Sequence, residues 1–150
     1  MPYLVMGYVE GTGASATHRY WRMLITAMNH PRAIICEIEM RESVGGPDVT
    51  STSFAIASSG TGQEAFNNTG VGISGGEYWE PAGPDVGEWV GQDFGAGNEK
   101  AIVEMKFWQN SAYALPQVDL QYSDNAVDWT TIYSVTYTPS WPATENIITF

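Results

Sequence analysis

Trp108 and Tyr113 are the side chains whose type and spacing best suit recognition chemistry. In the alternating run Ala101–Gln109, Trp108 falls in the polar set with Glu104 and Lys106, just before the loop Asn110–Leu115. Carbohydrate binding needs an aromatic platform for the apolar face of a pyranose, with a few polar groups to read its hydroxyls. Trp108, expected at an exposed strand end, and Tyr113 in the adjoining loop would supply the platform. Trp141, in the loop before the last strand, comes next, and His30 with Arg32 would supply polar readout. An exposed Trp serves equally well as a subunit contact, and an exposed loop accounts equally well for His30 and Arg32.

Catalytic chemistry finds less support. His18 and His30 are the only histidines, and neither lies near a nucleophile in a triad-like arrangement. Glu37 and Glu39 share a strand face and could act as acid and base, but a solvated face explains them as well. The Gly-rich run GISGGEYW at 72–79 is followed by neither a helix nor a Lys, so it is no phosphate loop. We therefore expect no enzyme. Cys36 is the single cysteine, which excludes an intrachain disulfide and a Cys-rich zinc site.

The elements that must carry these side chains read as strands. His18–Asn29 is one. Ala33–Arg41 alternates, with Ile34, Cys36, Ile38 and Met40 expected on one face and Ile35, Glu37, Glu39 and Arg41 on the other. That period of two marks a half-buried strand. Trp89–Phe94, Ala101–Gln109, Gln117–Ser123, Trp129–Tyr137 and Asn146–Phe150 follow, with SDNAVD at 123–128 as a hairpin loop. Only Gly62–Asn68 suggests a helical turn. Sixteen Gly and eight Pro, concentrated in the connections, suit an all-β sandwich or barrel. Residues 1–17 stand apart as an N-terminal arm or an edge strand, and residues 18–150 form one domain.

Composition narrows the partners. With 150 residues and 43% hydrophobic content, the chain can bury one core. Its net charge of −11 repels phosphate backbones, so nucleic acid is not expected as a partner. The start has no signal-peptide pattern, and no run approaches the roughly 20 apolar residues that span a bilayer. Membrane insertion is not expected, and synthesis in a host cytoplasm is.

Four segments together resemble the discoidin domain, or coagulation-factor type C domain, a jelly-roll β-sandwich of the galactose-binding-like superfamily. They are EAFNNT at 64–69 with Trp79 following, EWVGQDFG at 88–95, VDLQYSDNAVDWTTI at 118–132, and Arg19–Ile25 with Cys36–Met40. The resemblance implies that Trp79, Trp89 and Trp129 pack the sandwich. It also implies circular permutation, because the Arg-Tyr-x-Arg and Glu-Ile-Glu strands, which usually close the domain, open this chain. The opening strands would then lie beside Asn146–Phe150. Some family members hold a structural calcium, and the matching positions here are Glu37 and Asn67, with Thr69 and backbone carbonyls as further donors. Asn67 retains an oxygen but not the charge that calcium favours, so the alternative is a hydrogen-bonded anchor of the Asn67–Thr69 turn against Glu37. No other cofactor is implied.

The permuted order resembles that of bacteriophage virion proteins. The resulting expectation is a non-enzymatic structural or receptor-binding module of a phage-like virion, in a tail, fibre, baseplate or capsid decoration. Its partners would be other virion subunits, further copies of itself in a homo-oligomer, and a cell-surface glycan. The alternative is a stand-alone or enzyme-associated carbohydrate-binding module.

Overall fold

A computed structural model describes residues 16–69, 77–83, 86–110, 113, 115–136 and 146–150. The described chain is all-β. Eight strands run in order: β1 (Tyr20–Ala27), β2 (Ile35–Arg41), β3 (Ala55–Ala57), β4 (Trp89–Asp93), β5 (Glu104–Gln109), β6 (Gln117–Ser123), β7 (Thr130–Thr136) and β8 (Asn146–Thr149). Short 3-10 turns lie at Thr52–Phe54 and Gln63–Phe66, the second falling within the expected turn.

The strands form two antiparallel sheets, one ordered β3-β4-β1-β6-β7 and one ordered β2-β5-β8. Their inner faces enclose one core that includes Trp21, Met23 and Ile25 of β1, Ile38 and Met40 of β2, and Met105 and Phe107 of β5. Alternation along each strand sends every second side chain inward, which is why these residues meet. Trp79 belongs to the same core, bridges by backbone to Ile35, and donates its indole N–H to the Ser59 carbonyl at 3.0 Å.

Two expectations about the opening strands need correction. First, β1 lies inside the larger sheet, between β4 and β6, and β5 separates β2 from β8. Neither opening strand pairs with the Asn146–Thr149 strand. Second, the face assignment along 33–41 breaks at a β-bulge between Ile35 and Glu37. Ile35, Ile38 and Met40 enter the core, whereas Ile34 and Cys36 join a separate cluster with Trp108. The extra residue of a bulge shifts the phase of the pleat, and the pattern of 34–41 permits either phase.

The hairpin joining β6 to β7 behaves as its composition requires. Asn125 Oδ1 accepts from the N–H groups of Val127 and Asp128, and Ala126 adopts a positive φ of 60°. An Asx side chain mimicking a backbone turn accounts for both.

Candidate functional site

At one rim of the sandwich, three of the predicted residues come together. His30 and Arg32 sit in the connection between β1 and β2, and Tyr113 follows β5. The Tyr113 N–H donates to the Asn110 carbonyl at 3.1 Å, and the Asn110 N–H donates to the Ile34 carbonyl at 3.2 Å. These bonds hold the Tyr113 ring over the β1–β2 connection. The His30 ring meets it edge-on at 6.1 Å, and the Arg32 guanidinium lies 5.0 Å from its centroid.

Arg32 is fixed by a residue that sequence reasoning missed. Its Nε and Nη2 each donate to a separate oxygen of Glu80 at 2.6 Å, a fork-on-fork pair. Hydrogen bonding to Glu80 holds the guanidinium above its ordinary range, against the opposing effect of desolvation, and the Tyr78 and Tyr113 hydroxyls add to it. Reciprocally, Arg32 holds the Glu80 carboxyl below the usual carboxylate range. The signal available in the sequence was YWE at 78–80, an acid and a tyrosine flanking a core tryptophan. Tyr78 is exposed. The rim thus offers two phenol rings, an imidazole and a neutralised ion pair, groups suited to stacking and to reading hydroxyls.

Trp108 does not serve this rim as an exposed platform. It is only 8% exposed and packs with Ile34 and Cys36, with Tyr113 against them. Trp108 lies opposite Glu37 at the bulge, where the extra residue lets Cys36 join the same cluster. Trp108 is a support beneath Tyr113. Trp141 lies outside the described residues, as do residues 1–15 of the expected arm.

The residues considered for calcium are held otherwise. Asn67 Oδ1 accepts from the Thr69 N–H at 3.0 Å and its hydroxyl at 2.7 Å, and Asn67 Nδ2 donates to Glu77 at 2.7 Å. The turn is thus anchored to Glu77 rather than to Glu37, which is wholly buried in β2 opposite Trp108. Among the described residues, no group of three or more His, Cys, Asp or Glu side chains is placed to hold a metal ion. In this arrangement both contacts to Asn67 Oδ1 come from Thr69, within the turn itself.

A second constellation lies on the outer face of the larger sheet. Trp89 and Trp129, expected in the core, are half-buried here instead, because Val90 and Gln92 take the inward positions of β4. The two indoles are 5.9 Å apart, and Tyr20 meets Trp129 at 6.4 Å. The Arg22 guanidinium lies 3.8 Å from the Trp129 centroid and 5.0 Å from that of Trp89. Its Nε donates to Gln121 Oε1 at 2.8 Å, and Gln121 Nε2 donates in turn to the Thr131 hydroxyl at 2.8 Å. Burial pushes Arg22 down to about 10, so it stays charged at neutral pH. Nearby Asp119 accepts from the Ser134 hydroxyl at 2.6 Å.

No helix among the described residues is long and apolar enough to cross a membrane. No family model, no curated protein and no solved structure matches the chain.

Proposed function

We propose that the chain is a circularly permuted, discoidin-like jelly-roll sandwich serving as a non-enzymatic recognition or structural module of a phage-like virion. The observation that carries its recognition role is the rim where Tyr113, His30 and Arg32 converge with Tyr78 and Glu80. A glycan would stack on the phenol rings and hydrogen-bond to the Arg32–Glu80 pair.

Support for the permuted reading comes from the placement of β8. The Phe150 ring stacks 6.3 Å from that of Trp21, and the Phe150 N–H donates to the Val103 carbonyl at 3.0 Å. The end of β8 therefore lies beside the start of β1, the proximity on which a permutation depends. The virion setting rests on the permuted motif order, the acidic composition and the resemblance described above. Such modules assemble with symmetry, where weak sites gain by multivalency.

The alternative, a stand-alone or enzyme-associated sugar-binding module, is favoured by the exposure of Tyr78 beside Arg32, which leaves the rim reachable. Native mass spectrometry and a glycan array separate the two. The virion reading expects a closed homo-oligomer and glycan binding that falls in Tyr113→Ala. A strict monomer that still binds glycan supports the alternative, and a strict monomer indifferent to every glycan overturns both.

A further inference from the structure

We propose that the outer face of the five-stranded sheet holds a second ligand site, centred on Arg22, that takes a sugar acid, a pyranose carrying a carboxylate. Charge complementarity is the first reason. Arg19, Arg32, Arg41 and Lys100 each pair with a carboxylate, whereas Arg22 takes part in no ion pair among the described residues. Its protein partner is the neutral amide of Gln121. In a chain with 17 acidic and six basic residues, a surface arginine without a counter-charge is conspicuous.

Geometry is the second reason. Gln121 engages Nε and so orients the guanidinium, leaving the two Nη groups for the fork that a carboxylate fits. Trp89 and Trp129 flank the cation and have already removed part of its water. An incoming carboxylate therefore meets a charge in a medium of lowered dielectric, where the pairing is stronger than in bulk water. The same indoles, with Tyr20 against Trp129, supply the apolar surface on which a sugar ring stacks. The exposed Thr131 hydroxyl accepts from Gln121 and donates to Asp119 at 3.4 Å, closing the polar row beside the indoles. This site is independent of the rim: it shares no residue with Tyr113, His30 or Arg32.

The test titrates the whole chain with a galacturonic-acid trisaccharide, with its methyl ester and with the neutral galactose trisaccharide, following tryptophan fluorescence. The acid is expected to perturb the indole emission and to bind about tenfold or more tightly than either neutral analogue, the loss of one charge-assisted pair. Arg22→Gln should abolish that preference, and Tyr113→Ala should leave it intact. Because the acid-to-ester comparison is made on the unaltered chain, it holds even if Arg22→Gln fails to fold. Equal binding of acid and ester, or an acid preference that survives in folded Arg22→Gln, would overturn the site. Concentration-dependent self-association that Arg22→Gln removes, without sugar-acid binding, would overturn it in favour of a contact between copies.

Discussion

Arg22 and Arg32 each lie against aromatic rings, 3.8 Å from the Trp129 centroid and 5.0 Å from that of Tyr113, yet of the two only Arg32 forms an ion pair with a carboxylate among the described residues. At the rim, Glu80 cancels the charge, and what remains is a rigid bracket beneath two phenols. On the sheet face, two indoles dehydrate the charge without cancelling it. A guanidinium set against aromatic rings thus gives a neutral surface in one place and an electrostatically unfinished one in the other. The difference comes from the third partner, a glutamate in one case and a glutamine in the other.

The largest expected effect comes from destroying the scaffold on one side of this comparison. Gly91 stands opposite Arg22, and a Cβ there would meet the Trp21 carbonyl oxygen at 2.1 Å and the Arg22 Cα at 2.8 Å. Gly91→Ala should cost about 3 kcal/mol, at the upper end of overpacking penalties, because the obstruction is backbone. Urea denaturation measures it, and a change below about 1 kcal/mol would show that β1 and β4 can part without loss. Trp129→Ala is milder. It removes one face of the cation–π sandwich, at about 1 kcal/mol for that contact, and should leave the rim unchanged in NMR spectra.

The comparison can also be inverted. Glu80→Gln should give Arg32 the uncancelled charge that Arg22 already has, so acetate titrated into the variant should shift the Arg32 Nε resonance where the parent protein shows none. An unresponsive Arg32 would mean that the rim aromatics, rather than Glu80, exclude anions. The smallest effect is a pH dependence. Arg32 holds Glu80, and Arg19 holds Asp93, below the ordinary carboxylate range. Such groups contribute stability above their unfolded-state values, near pH 4, and lose it as pH falls through the depressed folded-state values. The melting temperature should therefore decline below about pH 4, and in Glu80→Gln the decline should be shallower. Arg22, having no carboxylate, contributes nothing in that window.

Much of the fold was legible because period-two patterns survive in most strands. Gln117–Ser123 was bounded as it stands, and the others shifted at their ends. The short β3 was not legible: Ala55–Ala57 has one β-branched residue and follows a Ser/Thr-rich turn. The site was legible in part. His30, Arg32 and Tyr113 were named from loop position, but their convergence depends on pairings distant in sequence. The pattern of Ala101–Gln109 puts Trp108 at an exposed strand end because it carries no sign of the bulge in the partner strand. The resemblance places Trp89 and Trp129 inward, but Val90 and Leu120 occupy that core.

The bulge in β2 is a frameshift written into a strand. Ile35 already faces Gln109 and Glu37 already faces Trp108, so Cys36 is the additional character between two stretches that are otherwise in frame. Deleting it would leave an uninterrupted ladder with Ile35, Ile38 and Met40 still inward, while removing one of the residues on which Trp108 rests. A single codon therefore separates the persistence of the core from the support of the Tyr113 rim, and the two can vary independently.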